Sequence, residues 1–426
     1  MARSNQYRRW MVGIDRRMKV AAFLVALLVA ALATQVHAQT YTVLHNFSGG
    51  MDGGSPYASL TLDAAGNLYG TTAEGAIRSG HCYPDGCGTV FKLRRTNSGW
   101  IFSPLYLFTG NADSGSPYGG LTFGRDGTLY GTASGEGTGS CGAAFNMKPP
   151  PAACTSALCY WSMTVIHSFS AADGCDPFSS VIPDQAGNFY GTTGRGSVYE
   201  LSPSNGGWTE TILHSFGFDD GAYPGYGPLI FDKAGNLYGT TLAGGDMNCE
   251  PGLGCGVVYQ LTPSGSYWTD TTLYKFQDGS DGAFPNGGVV LDASGNVYGT
   301  TTQGGSGSGG TVFELTPFNG YWNFNLLYSL MGGNQNVGGA WGTLVMDAAG
   351  NLYGTTASGG AYGEGAVFKL TRSNGVWTYT SLHDFICRTD GCTPYDSVIF
   401  DAKGNLYGTA AGGGAYDHGV VWEITP

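Results

Sequence analysis

A short block built around a tyrosine, Gly66-Asn67-Leu68-Tyr69-Gly70-Thr71-Thr72, recurs along this chain of 426 residues. Equivalent tyrosines stand at seven positions: Tyr69, Tyr130, Tyr190, Tyr238, Tyr298, Tyr353 and Tyr407. They are separated by 61, 60, 48, 60, 55 and 54 residues. A repeat of this length is one supersecondary unit that buries its apolar face against neighbouring copies. The seven copies therefore predict one repeat architecture rather than several unrelated domains.

Each copy contains signals for four strands. An apolar run that ends at an aspartate, such as Leu229-Ile230-Phe231-Asp232, predicts a first strand buried on both faces. The Asp-x-x-Gly-Asn turn after it permits a tight hairpin to the tyrosine block, the second strand. Alternating apolar and polar residues, as in 310–315, predict the third strand, and a tryptophan with an apolar residue eight positions later marks the fourth. The 73 glycines and the low charged fraction of 12% favour short strands and tight turns over helices.

The repeats are out of phase with the ends of the chain. Six fourth strands follow third strands, and the seventh copy of the fourth-strand pattern lies at 42–47, before the first repeat. The chain ends at 420–424 with a third strand that has no fourth. A ring gains from this offset, because the N-terminal strand completes the last blade and removes a free edge; an open solenoid does not. We therefore predict an all-β fold, a seven-bladed β-propeller with four antiparallel strands per blade, closed by the N-terminal strand.

Residues 1–38 have the pattern of a signal peptide. A basic segment with six Lys and Arg residues precedes the apolar run Val20–Ala33, and Val36-His37-Ala38 supplies small residues at a cleavage site. An uncleaved membrane anchor is the alternative. We expect residues 39–426 to form a single propeller domain that is secreted or periplasmic.

The charge of the chain argues against two classes of partner. The formal net charge is −12, and loss of residues 1–38 would remove six basic residues and one acidic residue, leaving −17. Such an acidic body is a poor partner for nucleic acid or anionic lipid. We expect a monomer that has no nucleic-acid partner and no membrane contact after signal cleavage.

All ten cysteines follow residue 38, which in an exported chain favours disulfides over metal or redox chemistry. Short spacings predict the pairs Cys82/Cys87, Cys154/Cys159, Cys249/Cys255 and Cys387/Cys392, which leaves Cys141 for Cys175. Zinc is the competing interpretation, but His81 is the one histidine adjacent to such a pair. We expect no metal and no cofactor.

The Gly-Asn-Leu-Tyr-Gly-Thr-Thr block, followed by glycines and a Gly88-Thr89-Val90-Phe91-Lys92-Leu93 strand, resembles the GloVer tandem-repeat proteins of bacteria. The resemblance covers almost all of the chain after residue 38. It implies an exported protein of a family whose members differ in their C-terminal anchors. Pro426 follows the last strand directly, so we expect release or periplasmic residence rather than anchoring. The family offers no catalytic motif, and the resemblance implies nothing about chemistry.

Repeated polar residues are interpreted as structural. Four histidines share one fourth-strand position with tyrosines of three other repeats: His45, His167, His214 and His383. A position shared in this way is expected to hold a ring with a buried hydrogen-bond partner. The aspartates that end the first strands are expected to form turns: Asp63, Asp184, Asp232, Asp292, Asp347 and Asp401.

Non-repeating polar residues are candidates for catalysis. They cluster in loops between second and third strands: Glu74, Arg78, His81, Asp85, Asp246, Glu250, Asp417 and His418. A carboxylate and a histidine brought together over the channel would permit general acid–base chemistry. A solvated polar loop is the simpler interpretation, and we assign no catalytic residue.

A ring of aromatic residues is the candidate ligand-binding site. The loop entering each first strand carries a proline and an aromatic residue, or a close variant: Tyr57, Tyr118, Phe178, Tyr226, Phe284, Trp341 and Tyr395. These rings could stack on sugars or other flat ligands at the channel rim, or wedge between blades. The sequence favours a non-catalytic module that binds a glycan or protein ligand. The alternative function is a propeller hydrolase or lyase with its site at the channel mouth.

Overall fold

The computed structural model describes residues 39–78, 82, 84–135, 141–150, 161–332 and 339–426. Tyr41–Thr425 form one compact unit. The predicted signal peptide, His81 and the predicted Cys154/Cys159 pair lie outside the described residues. Within those ranges, no helix has the length and apolarity that a bilayer crossing requires.

The described strands form seven antiparallel four-stranded sheets, which are the blades of a seven-bladed β-propeller. Blades are numbered here along the chain, and their strands run from the innermost to the outermost. Blade 1 contains β2 (Thr61–Leu62), β3 (Leu68–Thr72), β4 (Thr89–Thr96) and β5 (Gly99–Leu107), and blade 2 contains β6 (Thr122–Phe123), β7 (Leu129–Ala133), β8 (Ala143–Lys148) and β9 (Ser162–Ser168). Blade 3 contains β10 (Ile182–Pro183), β11 (Phe189–Thr192), β12 (Ser197–Ser204) and β13 (Gly207–Ser215), and blade 4 contains β14 (Ile230–Phe231), β15 (Leu237–Thr241), β16 (Val257–Ser264) and β17 (Tyr267–Lys275).

Blade 5 contains β18 (Val290–Leu291), β19 (Val297–Thr300), β20 (Ser308–Phe318) and β21 (Tyr321–Met331), and blade 6 contains β22 (Val345–Met346), β23 (Leu352–Thr356), β24 (Ala366–Ser373) and β25 (Val376–Asp384). Blade 7 contains β26 (Ile399–Phe400), β27 (Leu406–Ala410), β28 (Val420–Thr425) and β1 (Thr40–Asn46). The last of these confirms the predicted closure, because β1 lies beside β28 as the outermost strand of blade 7. The Phe47 amide also donates to the Gly419 carbonyl at 3.0 Å.

The innermost strands are shorter than the apolar runs predict. In blade 4 only Ile230 and Phe231 pair with β15, and Leu229 is buried without belonging to a strand. The chain before this strand packs instead on a neighbouring blade: a Cβ built on Gly227 would lie 2.3 Å from the amide nitrogen of Gly288. Contacts between blades therefore replace strand pairing close to the axis.

The predicted turn role of the repeated aspartates is confirmed. In blade 1, Asp63 accepts hydrogen bonds from the Asn67 amide at 2.8 Å, the Asn67 side chain at 2.7 Å and the Tyr69 hydroxyl at 3.1 Å. Asp184, Asp232, Asp292, Asp347 and Asp401 accept the same set. One carboxylate thus fixes the turn between the first two strands and orients the repeated tyrosine.

Among the described residues the core consists of seven apolar clusters, and each one spans a junction between neighbouring blades. Between blades 1 and 2, for example, Val90 and Phe108 pack with Leu121 and Phe145. The cluster that joins blade 7 to blade 1 is built from equivalent repeat positions and contains Phe47 and Val421 in place of Phe108 and Val90. A blade therefore buries its faces only between two neighbours, as the repeat pattern predicts.

Four disulfides join described cysteines: Cys82–Cys87, Cys141–Cys175, Cys249–Cys255 and Cys387–Cys392. All four were predicted from the sequence. Cys141–Cys175 links the loop before β8 to the loop that enters blade 3, so it joins two blades. Disulfides of this number are typical of proteins that mature in an oxidising environment.

Candidate functional site

The loops that enter the innermost strands share one backbone feature. The residue before the proline has a positive φ in six blades: Ser55, Ser116, Asp176, Tyr223, Phe284 and Thr393. The proline then fixes the next φ, so each loop changes direction at this point. In four of these blades the residue directly after the proline is aromatic, and in blade 4 Gly225 intervenes before Tyr226.

A cavity of about 380 Å³ lies where these loops converge. Six of the seven predicted aromatic residues line it: Tyr57, Tyr118, Phe178, Tyr226, Trp341 and Tyr395. They come from six different blades. The remaining lining residues are small or polar: Gly119, Gly120, Ser180, Pro228, Asn286 and Asp396.

The six rings form a continuous arc. The Tyr57 ring centroid lies 5.0 Å from that of Tyr118 and 5.2 Å from that of Tyr395. Tyr118 lies 5.6 Å from Phe178, which is stacked on Tyr226 at 5.0 Å with an interplanar angle of 3°. Trp341 lies 5.5 Å from Tyr395 at the other end. The arc therefore runs through blades 4, 3, 2, 1, 7 and 6 and is open at blade 5.

Blade 5 differs from the prediction because Phe284 does not line the cavity. Phe284 stands before Pro285, and its side chain packs against the apolar cluster between blades 4 and 5, which includes Cys255 and Phe276. The residue after the proline is Asn286, and this side chain lines the cavity in place of a ring. Asn286 was not predicted from the sequence, because the aromatic residue of each loop, and not the position relative to the proline, defined the candidate.

Two polar groups of the lining lack a hydrogen-bond partner among the described residues. They are the side-chain oxygen Oδ1 of Asn286, which is only 7% exposed, and the indole nitrogen Nε1 of half-buried Trp341. A buried polar atom without a partner carries a desolvation cost of about 1–3 kcal/mol. A ligand that supplied an acceptor to Trp341 and a donor to Asn286 would remove that cost.

Asp396 is the one carboxylate among the described lining residues. Its Oδ2 accepts from the Ser59 amide of blade 1 at 2.7 Å, and its Oδ1 accepts from the Ser397 amide at 2.6 Å and the Ser397 hydroxyl at 3.2 Å. Burial raises the pKa of Asp396, while these donors act to lower it. The other six repeats hold only small residues at this position: Ala58, Gly119, Ser179, Gly227, Gly287 and Gly342. Asp396 is thus the one charged residue at this repeated position, and this difference between repeats is the sequence signal that could have identified it as a candidate site residue.

Three tyrosines of the arc, Tyr57, Tyr118 and Tyr226, stay neutral over a wide pH range. Burial, together with the neighbouring Tyr118, Glu74 and Tyr395, raises the pKa of Tyr57 to about 12. Burial also raises the pKa of Tyr118 and of Tyr226. Their hydroxyls therefore remain available as donors, and their rings remain uncharged stacking surfaces.

Repeated threonines hold the loops in place. Thr71 of blade 1 donates to the Gly119 carbonyl of blade 2 at 3.1 Å, and Thr355 of blade 6 donates to the Asp396 carbonyl of blade 7 at 2.8 Å. Equivalent bonds are made by Thr132, Thr240, Thr300 and Thr409. In six of the seven blades the first threonine of the repeated block thus ties the entry loop of the next blade to the sheet before it. In blade 3 the equivalent Thr192 hydroxyl pairs instead with the Ser179 hydroxyl at 2.8 Å.

The repeated histidines lie at blade junctions and bind aspartates of the following loop, as predicted for a structural ring. The distances between Nε2 and the carboxylate are 3.2 Å for His45–Asp52, 2.8 Å for His167–Asp173, 3.0 Å for His214–Asp220 and 2.9 Å for His383–Asp390. Tyr106 and Tyr274 bind Asp113 and Asp281 in the same way.

Two of these junctions contain a second carboxylate from the next blade. Glu210 joins His167 and Asp173, and Asp270 joins His214 and Asp220, with all donor atoms of each group within 4.8 Å of one another. Such a group has the donor types that could hold a metal ion. It can also balance its charge with a proton: burial and the adjacent Asp173 raise the pKa of Glu210 from 4.5 to about 8. In a third group, Glu364 lies beside Cys387 and Cys392, but these sulfurs are in a disulfide.

The polar loop residues do not form one catalytic cluster in the described part of the chain. Glu74 accepts from the Ser55 hydroxyl at 2.8 Å, and Arg78 donates to the Gly49 carbonyl at 2.9 Å. Asp246 accepts from the amide and side chain of Asn248, both at 3.0 Å. The histidines within ion-pair distance of a carboxylate in the described ranges are the four repeated ones.

Solved structures resemble this chain at low identity. A candidate 6-phosphogluconolactonase from Bacteroides uniformis is 13% identical, with a TM-score of 0.49 over 83% of this chain and 89% of that chain. A protein of unknown function from Dyadobacter fermentans is 12% identical, with a TM-score of 0.47 over 92% and 100%. A candidate 6-phosphogluconolactonase from Bacteroides fragilis is 16% identical, with a TM-score of 0.48 over 83% and 88%.

No curated protein gave a match to the sequence. A protein-family comparison gave a match over residues 31–194, 191–338 and 250–426, which together span the whole chain after residue 30. The matched segments include all seven tyrosine blocks, whose threonines and aspartates build the blades and hold the cavity wall. The chain belongs to the Gloeobacter/Verrucomicrobia repeat family.

Proposed function

We propose that this protein is an exported binding module that holds a glycan or protein ligand in the cavity at the centre of the ring. The observation that carries the proposal is the continuous arc of six aromatic rings contributed by six blades. Cavities that bind small molecules are lined mainly by apolar and aromatic side chains with a few placed polar groups. Asn286, Trp341 and Asp396 supply such groups here.

Binding is better supported than hydrolysis by the placement of the ionisable groups. The described cavity lining contains Asp396 but no histidine, and the histidine–carboxylate pairs belong to the blade junctions. The rings, in contrast, offer stacking surfaces on several sides of one ligand. Secretion or periplasmic residence fits the four disulfides and the pattern of residues 1–38.

Trp341→Ala tests the proposal. Loss of a stacked ring should weaken ligand binding by about 1–3 kcal/mol in an array of glycans and peptides, because the indole is one end of the arc. Phe284→Ala is the matched control, since this ring belongs to the same kind of loop but packs on the core. It should lower the melting temperature and leave affinity unchanged. Equal affinity of the parent and Trp341→Ala for every ligand found would contradict the proposal.

A further inference from the structure

The charged groups on the cavity wall indicate which class of ligand the cavity binds. Asp396 is the one carboxylate on the described wall, and no Lys, Arg or His is among the described lining residues. The faces of the six aromatic rings carry negative partial charge, which attracts cations. Burial raises the pKa of Asp396. The Ser59 and Ser397 amides donate to it, and both these hydrogen bonds and a cationic group bound beside it favour the carboxylate form.

The carboxylate has room for one more donor. A carboxylate accepts at about four lone-pair sites. The Ser59 and Ser397 amides fill two of those of Asp396, and the Ser59 side chain is a further donor. The Ser397 hydroxyl has one proton, which lies closer to the Thr343 carbonyl at 2.8 Å than to Oδ1 at 3.2 Å. A positively charged donor from a ligand would make a charge-assisted hydrogen bond there.

The aromatic rings, Asn286 and Trp341 indicate the chemistry of the uncharged part of the ligand. The parallel pair Phe178 and Tyr226 and the tilted rings beside them offer flat apolar faces. Asn286 and Trp341 border the opening of the arc and present one acceptor and one donor that have no partner in the described part of the chain. Hydroxyl groups on a flat ring satisfy both, whereas a lysine side chain carries no group that could.

We propose that the cavity selects an amino sugar with a free ammonium group, which binds Asp396 while the pyranose ring stacks on the aromatic arc and its hydroxyls bind Asn286 and Trp341. This inference rests on the proposed function of the cavity as a ligand site. It adds that charge, and not only ring stacking, decides which sugar is bound.

Calorimetric titration of the full chain with three trisaccharides tests the inference. The β-1,4-linked trimers of glucosamine, N-acetylglucosamine and glucose share one linkage and differ at the 2-position. At about pH 6, where the amine is protonated, the glucosamine trimer should bind at least about tenfold more tightly than the other two. Asp396→Asn should remove most of that preference. The comparison of trimers on the parent chain is decisive even if this variant does not fold.

Equal binding of charged and neutral trimers would overturn the ammonium inference and leave the proposed function standing. Preference for a lysine peptide over the glucosamine trimer would also overturn it. Absence of binding by all three trimers would overturn the assignment to sugars, and the glycan and peptide array with Trp341→Ala then decides the proposed function separately.

Discussion

At the scale of single residues, the blades differ where one side chain replaces another at a shared position. The residue two places after each outer-strand tryptophan faces the histidine or tyrosine of the preceding blade. Phe102 stacks on His45 at 4.2 Å, and Phe324 stacks on Tyr274 at 4.8 Å. Glu210 occupies this position between blades 2 and 3, where its Oε2 lies 3.5 Å from the Nε2 of His167. The same junction is thus filled by stacking in some blades and by a carboxylate in others.

The carboxylate at this junction predicts a pH dependence of stability. Burial and the adjacent Asp173 raise the pKa of Glu210 to about 8 in the folded protein, against an ordinary value of 4.5. The folded state therefore binds the proton more tightly than the unfolded state, and this contribution to stability is complete below about pH 4.5 and is lost as the pH rises to about 8. Glu210→Gln should flatten the fall in unfolding free energy across that window.

Urea unfolding at several pH values between about 5 and 9 measures this effect. Glu250→Gln serves as the control, because Glu250 is exposed in a loop and its replacement should leave the pH profile unchanged. An identical fall in the parent and in Glu210→Gln would show that Glu210 does not hold the proton.

At the scale of elements, the entry loops depend on covalent and hydrogen-bonded ties between blades. Cys141–Cys175 closes a separation of 34 residues, whereas Cys82–Cys87 closes one of 5. On the loop-entropy account the longer closure contributes about 4 kcal/mol and the shorter about 2 kcal/mol. The double variant Cys141→Ser with Cys175→Ser should therefore lose more unfolding free energy than Cys82→Ser with Cys87→Ser. Equal losses in denaturant unfolding would contradict this ordering.

The elements that the sequence predicts correctly are those with a local physical signal. The turn aspartates, the tyrosine block and the fourth strand recur at fixed spacings, because each repeat needs the same hydrogen bonds and the same buried faces. The missing fourth strand of blade 7 could be located at 42–47 for the same reason. Short loop spacings similarly predict Cys249–Cys255.

The features that could not be predicted from the sequence depend on contacts between blades. The chain before β14 leaves its own sheet to pack near Gly288, so the first strand is shorter than its apolar run. Phe284 packs against the core between blades 4 and 5, and Asn286 lines the cavity in this blade. The partner of Asp396 is the Ser59 amide, 337 residues away in sequence, and no local pattern reports such a contact.

At the scale of the whole molecule, the candidate site depends on closure of the ring by the N-terminal strand. The N-terminal strand supplies contacts to both neighbouring junctions: Tyr41 stacks on His383 at 3.7 Å, and Phe47 packs with Phe91 of blade 1. The bond from Ser59 to Asp396 crosses from blade 1 to blade 7 on the cavity wall. Loss of the closing strand should therefore disturb the cavity as well as the blade edge.

Removal of the closing strand tests the central claim that seven repeats form one closed ring. A chain that begins at Gln39 and a chain that begins at Ser48 differ by β1 and Phe47. The shorter chain exposes the edge of β28 and opens the cluster between blades 7 and 1, so it should aggregate on size-exclusion chromatography or melt at a clearly lower temperature. A shorter chain that elutes as a monomer and melts at the same temperature as the longer one would contradict the closed ring.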